Sequence, residues 1–282
     1  MNNELISVVI PCYNSGSTIR KTIDSIKRQS WRNIEIIVID DGSDDSSTIE
    51  VLKELDDITI YRQTNKGLPA ARNLGFLKAK GKYILPLDAD DWLEHNAIEE
   101  LLKSLLNNAN SSYSFTYWQL HGEAKGILKK DYNFFEQLFL NQLPYCILIP
   151  KDIWDSVGQY DESMKEGYED WEFNIRLGSQ GHFGVLVPLP LFNYQISSKG
   201  MLISKSSRIH GQLWSEIQMK HLRLYRPIIL FKTWLRWRNK ASTYPLLFYF
   251  GWLILYKILP ISFFGYIVNK LRTFSRSGKL RV

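Results

Sequence analysis

The sequence predicts an α/β fold in which a mostly parallel, twisted sheet is flanked by helices. Short β-rich apolar runs alternate with segments whose apolar residues recur every three or four positions. Several of the apolar runs stop abruptly at carboxylates, as buried parallel strands do where they reach the edge of a sheet that binds ligands. At 282 residues the chain can bury a sizeable core. A basic, apolar C-terminal part adds a predicted helical extension.

The alternation is clearest in the first hundred residues. After Ser17, which we expect to cap a helix, Ile19, Ile23 and Ile26 recur at helical spacing. The predicted strands of this part cover residues 5–11, 34–39, 58–61 and 83–87, and its later helices cover 48–55, 69–79 and 97–106. Further strands are predicted at 112–120 and 145–150, and a helix at 167–177 directs Trp171, Phe173 and Ile175 inward.

Residues 83–92, YILPLDADDW, form an apolar run that ends in three aspartates. Asp88 and Asp90 flank one small residue, and two carboxylates at this spacing can bind Mg²⁺ or Mn²⁺ while leaving positions for phosphate oxygens and water. The alternative is that Asp91 caps a helix starting near Leu93 and that the other two acids are solvated turn residues. This stretch alone leaves both interpretations open.

The order of several other polar residues along the chain strengthens the case that they belong to a functional site. Residues 40–43, DDGS, end a second strand, Arg72 follows, and the pair Glu169 and Asp170 lies in the first turn of a predicted helix about 100 residues beyond. Each has an ordinary alternative: a turn, a solvated helix position, or helix N-terminal electrostatics. Acids after two strands, an arginine between them and a later acid pair together favour a single site.

Five segments taken together resemble a known family. VVIPCYN, VIDDGS, NKGLPAARNLG, YILPLDADDW and GYEDWEFNIRL occur here in the order found in the GT-A fold, family 2 inverting glycosyltransferases of bacterial polysaccharide and lipopolysaccharide assembly. The likeness covers roughly residues 5–200. It implies a metal-dependent inverting transferase that moves a sugar from a nucleotide-sugar donor to a hydroxyl of a glycan or lipid-linked acceptor. The expected donor is a UDP-sugar.

The resemblance also implies roles for individual residues. Pro11 and Tyr13 would contact the base or ribose of the donor, and Asp41 would accept a hydrogen bond from the base. Arg72 would lie near the nucleotide and Asp88 on the ribose side. Asp90 would bind Mg²⁺ or Mn²⁺ on the diphosphate. Asp170 would be the general base, and Glu169 is its main rival. Lys199 and His210 are weaker candidates for diphosphate or metal contacts, because their region matches the family's closing loop only loosely.

Two rival functions remain open. One is a catalytically inactive nucleotide-sugar-binding module, which the presence of Asp90 and Asp170 disfavours. The other is a sugar nucleotidyltransferase, whose Gly- and Arg-rich N-terminal phosphate loop is replaced here by CYNSGSTIR. GxGxxG after the first strand and GxxxxGK[ST] anywhere are both absent from the sequence, so the usual dinucleotide and P-loop fingerprints do not apply.

Charge divides the chain into two predicted regions. Residues 1–198 hold 19 Lys/Arg and 28 Asp/Glu, whereas residues 199–282 hold 16 Lys/Arg and the single acid Glu216. We therefore predict a GT-A catalytic domain at 1–204 and a helical, basic, membrane-associating extension at 205–282. Two widely spaced cysteines and the lack of a basic segment before the first apolar run favour a reducing, cytoplasmic location.

Residues 244–268 carry one charge in 25 positions. Pro245, Lys257 and Pro260 leave an uninterrupted run of residues 246–256, which is shorter than the ~20 residues of a spanning helix. We therefore expect one or two helices lying peripherally in the inner face of the cell membrane, with a true span less favoured. The alternatives are packing on the catalytic domain and a dimer contact; nucleic acid is not an expected partner, because such tails are usually polar.

Overall fold

The computed structural model describes residues 3–197, 206, 208–240 and 244–276. Strands and helices alternate along these ranges as the sequence predicts. In chain order they are β1 Ile6–Cys12, α1 Ile19–Lys27, β2 Ile34–Asp40, α2 Ser46–Lys53, β3 Thr59–Arg62, α3 Leu68–Lys78, β4 Tyr83–Pro86, β5 Trp92–Leu93, α4 Ala97–Asn107, β6 Tyr113–Gly122, β7 Gly126–Leu128, α5 Phe134–Gln137, β8 Ile149–Pro150, α6 Lys151–Val157, α7 Glu169–Ser179, β9 Gly184–Ile196, α8 His210–Lys220, α9 Pro227–Trp237, α10 Leu246–Ile258 and α11 Ile261–Arg276.

The main sheet has the strand order β3-β2-β1-β4-β8. Strands β1 to β4 run parallel, and the short β8 pairs antiparallel with β4. The prediction of a mostly parallel sheet flanked by helices is therefore confirmed. Successive residues of β1 point to opposite faces, so Val8 and Val9 enter two separate hydrophobic clusters, and both faces of the sheet are buried.

A second sheet has the order β5-β9-β6-β7. Strands β6 and β9 are parallel, while β5 and β7 pair antiparallel with their neighbours. An isolated antiparallel bridge between Ser114 and Leu148 connects β6 to the segment before β8. The second sheet matters for function because it places the end of β9 beside the carboxylates that follow β4.

The predicted helix at 97–106 is confirmed as α4, and residues near Leu93 form β5, so the alternative of a helix start there is wrong. Two local predictions were wrong. The predicted strand at 145–150 is reduced to β8, because the segment before it is a buried, irregular connection. The helix α1 has Thr18, not Ser17, at its N-cap, and no side chain there accepts a hydrogen bond from the first turn.

The C-terminal helices share the core of the catalytic fold. Trp214 of α8, Trp252 of α10 and Phe264 of α11 are fully or almost fully buried in the same cluster as Phe139. The inner faces of these helices therefore pack on the catalytic region, which was one of the two alternatives to a membrane role. Within the described ranges, each helix lacks the length or the apolar composition needed to cross a bilayer. The boundary near residue 204 stays a prediction.

Candidate active site

The parallel strands bring several sequence-predicted residues to one edge of the main sheet. Strands β1, β2 and β4 are neighbours and end at the same side, so the residues after them lie close together. Pro11 is buried within β1, whereas Tyr13, just beyond it, is 47% exposed. An exposed aromatic ring at this edge is available to a ligand. Pro11 itself is buried, and its predicted contact with the base or ribose stays a prediction.

Asp41, the residue after β2, organises the loop that leads into α3. Its carboxylate is buried and accepts hydrogen bonds from Gln63 Nε2 at 2.7 Å and from the backbone N–H groups of Lys66 and Gly67 at 2.8 Å each. Gly67 has φ +97°, a conformation that favours glycine, and it directly precedes α3. Asp41 thus fixes the entry of the helix that holds Arg72. Its predicted contact with the nucleotide base stays a prediction.

Asp91 is an internal anchor and not a helix cap. Its fully buried carboxylate accepts from the Tyr145 hydroxyl at 2.5 Å and from the Gln195 N–H at 2.7 Å, while the N-cap position of α4 is occupied by Asn96, whose side chain makes no capping hydrogen bond. Burial raises the pKa of Asp91 well above its usual range, and the charges of Asp90 and Asp88 raise it further. The capping interpretation of the aspartate cluster was therefore wrong. Asp91 joins the end of β9 to the turn after β4.

Tyr145 is a site residue that the sequence analysis missed. Its hydroxyl donates to Asp91 and accepts the Asp88 N–H at 2.9 Å, and its ring lies under the guanidinium of Arg72 at 4.7 Å. One side chain therefore fixes both ends of the residue 88–91 turn. The only sequence signal was an aromatic residue in an apolar run, which is typical of any core position.

Arg72 connects the two groups of acids. Its guanidinium, 1% exposed, donates through Nη2 to Asp88 at 2.7 Å and through Nη1 to Glu169 at 2.5 Å. Burial alone would lower the pKa of Arg72, but the carboxylates of Asp88 and Glu169 raise it well above its usual value. The planar fork of arginine suits this double contact better than a lysine would. The alternative of a solvated helix residue is excluded by the burial.

Asp90 is the carboxylate best suited to a divalent cation. Burial, and secondly the charge of Asp88, raise its pKa to about 6, and no described side chain donates a hydrogen bond to it. A cation would stabilise its ionised form. The described residues contain no group of three or more His, Cys, Asp or Glu that could hold a metal alone. The chain fits Mg²⁺ or Mn²⁺ through Asp90 only if water and ligand oxygens complete the coordination, as is usual for Mg²⁺.

The acid pair lies at the start of α7, after an unusual turn. Gly167 and Tyr168 have φ +110° and +67°, and a bulky residue in this region is strained unless its surroundings hold it. The Tyr168 hydroxyl is 2.8 Å from Nδ1 of His210, and the Trp171 Nε1 donates to the Gln137 carbonyl at 2.6 Å. These contacts from both sides fix the first turn of the helix. Such strain held by packing is common at functional sites.

Glu169 and Asp170 differ in their surroundings. Glu169 is buried against Arg72, and burial raises its pKa to about 7 although Arg72 acts to lower it. Asp170 is partly accessible and accepts from Asn141 Nδ2 at 2.9 Å. Burial raises the pKa of Asp170 above its usual value, while Arg72 and the Asn141 amide lower it in part. Glu169 is therefore engaged in an ion pair, whereas Asp170 has access to a ligand.

Tyr194, near the end of β9, marks where these acids converge. Burial raises the pKa of its hydroxyl beyond the usual range, and the charges of Asp91, Asp88, Asp90 and Asp170 each raise it further. Charges act on a hydroxyl in this way only from nearby, so the acids after β4 and Asp170 of α7 lie near the same side chain. Arg72, which donates to Asp88 and to Glu169, joins the same two groups of acids. Sequence analysis missed Tyr194 because its segment offered no recognisable motif.

Of the two weaker candidates, the structure describes only His210, and it lies apart from these acids. His210 is buried against Tyr168 and Trp171, behind the first turn of α7, and its position does not favour contact with a diphosphate or a metal. Lys199 lies outside the described residues.

Comparison with known proteins agrees with this arrangement. The model of the family described as "Glycosyl transferase family 2" matches residues 7–148, which is half of the chain and includes the ends of β1, β2 and β4. Helix α7, which carries Glu169 and Asp170, lies beyond the matched region.

Individual relatives and a solved structure give the same picture. Glycosyltransferase GlyA of Streptococcus pneumoniae is 31% identical over 224 residues, covering 72% of this chain and 30% of that protein. An uncharacterized glycosyltransferase of Haemophilus influenzae is 40% identical over 124 residues, covering 41% of this chain and 49% of its own length. The chain thus spans less than two thirds of these relatives. The crystal structure of S. aureus TarS 1-349 with UDP-GlcNAc superimposes with a TM-score of 0.65 at 16% identity, covering 81% of this chain and 69% of that one.

Proposed function

The chain belongs to glycosyl transferase family 2, and on that premise we propose that it transfers a sugar, with inversion, from a UDP-sugar to a hydroxyl of a glycan or lipid-linked acceptor in cell-surface polysaccharide synthesis. One observation supports this more than any other. Arg72 donates to Asp88 at the sheet edge and to Glu169, the neighbour of Asp170. Asp88, which we expect to contact the donor, and the accessible carboxylate of Asp170 on α7 are thereby held in a single site.

In the proposed reaction, Asp170 is the general base. As the acceptor hydroxyl oxygen bonds to the anomeric carbon, its proton passes to the Asp170 carboxylate, and the bond between that carbon and the diphosphate oxygen breaks. A single displacement inverts the anomeric centre, so an α-linked donor gives a β-glycoside. The raised pKa of Asp170 suits this role, because a carboxylate of ordinary pKa is a weak base near neutral pH. Asn141 orients the carboxylate.

A divalent cation on Asp90, when bound, would supply positive charge to the departing diphosphate. The other contributions to the site would come from side chains of the protein. Arg72 keeps Asp88 and Glu169 in fixed positions, Tyr145 fixes the residue 88–91 turn, and Tyr13 offers an exposed ring to the base or ribose. Buried, preorganised contacts of this kind lower the reorganisation needed in the transition state.

The choice of UDP follows S. aureus TarS 1-349, a structural neighbour solved with UDP and with UDP-GlcNAc. Because the identity is 16–17%, the likeness itself establishes the fold, and UDP as the nucleotide of this chain is part of the proposal. A peripheral position at the cytoplasmic face of the cell membrane belongs to it as well, on the basis of the basic, apolar C-terminal segment.

The test is a thermal-shift panel of UDP-, GDP- and dTDP-sugars with Mn²⁺, followed by transfer assays with the stabilising donor. A ligand that binds the folded state raises its apparent stability, so a UDP-sugar should raise Tm most. Asp170→Asn should lower transfer by about 10² to 10⁴-fold while donor affinity stays within a few-fold. Donor binding without transfer or hydrolysis by the parent chain would indicate the inactive binding module. Formation of a nucleotide-sugar from a sugar phosphate and a nucleoside triphosphate would indicate the nucleotidyltransferase.

A further inference from the structure

The outer faces of α9 and α10 expose apolar side chains in regular stripes. On α9, Ile228, Phe231 and Leu235 are exposed at helical spacing. On α10 the exposed stripe comprises Leu247, Phe250, Ile254 and Ile258, with Leu247 81% exposed and Ile258 71% exposed. Spacings of three and four residues place each set on one side of its helix. We call these seven side chains the outer stripe.

The two halves of the outer stripe are adjacent in space. Phe231 and Trp234 of α9 and Phe250 and Leu253 of α10 line the same narrow apolar cleft between the helices. The stripe is therefore one continuous apolar surface. Exposed apolar surfaces of this extent on a folded domain mark an interaction site.

Cations border this surface without acidic partners. Lys232, Arg236 and Arg238 on or next to α9 and Lys257 on α10 are exposed, and in the part of the chain that the structure describes no carboxylate pairs with them. The sequence offers none on these helices, since Glu216 is the only acid after residue 198. The surface is thus apolar and positively charged at once, which calls for an occupant that is apolar and negatively charged.

We propose that the outer stripe docks on an anionic phospholipid bilayer, with α9 and α10 lying in the headgroup region and Lys232 and Lys257 meeting lipid phosphates. At 11 and 13 residues, α9 and α10 are about 16 and 20 Å long, too short for a bilayer core of ~30 Å but suited to lying in its surface. A second copy of the chain fits less well, because a symmetric contact would bring these cations together with no acid to offset them. Nucleic acid also fits less well, because its charged backbone offers no apolar partner for the exposed side chains of Leu247, Ile254 and Ile258.

The docking surface is connected to α7 through one intervening segment, residues 136–141. Tyr249, on the inner side of α10, donates to Glu136 at 2.6 Å, and Trp214 of α8 donates to the Leu138 carbonyl at 3.0 Å. The same segment positions α7, through Gln137 with Trp171 and through Asn141 with Asp170. Docking would therefore orient the site relative to the bilayer. This consequence, delivery of a lipid-linked acceptor to Asp170, rests on the proposed function, whereas lipid binding itself does not.

The experiment is flotation of the full-length chain with phosphatidylcholine vesicles that contain or lack phosphatidylglycerol, at physiological salt. The parent chain should float only with phosphatidylglycerol. Leu247→Gln with Ile254→Gln, and separately Lys232→Gln with Lys257→Gln, should each lower vesicle affinity by about tenfold or more. These positions are exposed, so the fold should be retained, which circular dichroism would verify. The matched controls are Leu106→Gln for an exposed leucine and Lys53→Gln with Lys125→Gln for the same loss of charge; both should float like the parent.

Several results would overturn the proposal. These are failure of the parent to float, equal flotation of the outer-stripe variants, or an equal loss in the matched controls. A parent dimer that Leu247→Gln with Ile254→Gln converts to monomer, without any vesicle binding, would assign the surface to a second copy of the chain. Because flotation needs no donor and no turnover, a chain that floats but transfers nothing would contradict the proposed function alone.

Discussion

Arg72 donates to Glu169 across 97 positions of the chain, at 2.5 Å and with both side chains buried. The same guanidinium donates to Asp88, so one residue of α3 joins the strand-end acids to the helix that presents Asp170. Glu169 had been the main rival for the role of general base. Its engagement with Arg72 favours a positioning role for Glu169 and leaves Asp170 as the accessible carboxylate.

We predict that Arg72→Lys lowers transfer by about 10²-fold or more and destabilises the fold by about 3–5 kcal/mol. A lysine carries all its donors on one nitrogen and lacks the two separate nitrogens with which Arg72 spans Asp88 and Glu169, so one buried carboxylate loses its partner. Urea unfolding and transfer assays would measure the two effects. Glu169→Gln should retain an acceptor for Arg72 and lose less than about tenfold in rate. If Glu169→Gln were inactive and Asp170→Asn active, the assignment of the base would be reversed.

A second prediction concerns Asp90. Donor binding should require Mn²⁺ or Mg²⁺, and Asp90→Ala should abolish that requirement together with most of the donor affinity, because the described chain offers few other ligands for a cation. Isothermal titration with donor in the presence of Mn²⁺ or of EDTA would measure it. Asp24→Ala, which removes an exposed carboxylate of α1, is the matched control and should bind as the parent does. Unchanged donor affinity in EDTA would refute the metal assignment.

A third prediction concerns pH. The acidic limb of the rate profile should lie above the usual pKa of an aspartate, because burial raises the pKa of Asp170. Burial also raises the pKa of the neighbouring Glu169, to about 7. Activity is then lost as pH falls and the base takes up a proton. Asn141 donates to the charged form and so lowers this pKa.

Asn141→Ala should therefore move the acidic limb to higher pH by about one unit, since a hydrogen bond to a charged group contributes on the order of 1.5 kcal/mol. At high pH the rate should stay within a few-fold of the parent, which separates positioning of the base from general damage. Asn108→Ala, at the end of α4, is the control and should leave the limb in place. An unshifted limb in Asn141→Ala would contradict the role given to this amide.

The sequence was sufficient for the parallel strands β1 to β4 and for the acids at their ends, whereas β9 at Gly184–Ile196 was not predicted. An apolar run that stops at a carboxylate reports both the buried strand and the polar edge, so Asp41, Asp88 and Asp90 could be identified without a structure. Glu169 and Asp170 could be identified through the helix start. In each case the signal is local, within a few residues of the side chain.

What could not be predicted depends on distant pairs. Tyr145 contacts Asp91 over 54 positions and Gln195 contacts Asp91 over 104, and no local pattern distinguishes such residues from ordinary core or loop positions. The tail shows the same limit. Residues 244–268 are apolar on nearly every side, so their periodicity could not separate the face that packs inward from the face that is exposed.

The last prediction tests whether the C-terminal helices belong to the catalytic fold. Trp252 is 5% exposed and packs on Phe139 and Trp214, so Trp252→Ala should lower the free energy of unfolding by about 3–5 kcal/mol. Leu247→Ala, five positions earlier on the outer side of the same helix, should change it by less than about 0.5 kcal/mol. Urea unfolding followed by circular dichroism would compare them. Equal stabilities would mean that α10 contributes nothing to the core and that the boundary near residue 204 separates two independent units. The expected difference means instead that deleting the chain beyond residue 224, which would remove α9 to α11, exposes the Phe139 cluster. Membrane binding is therefore tested by substitutions on the outer stripe of an intact protein and not by such a deletion.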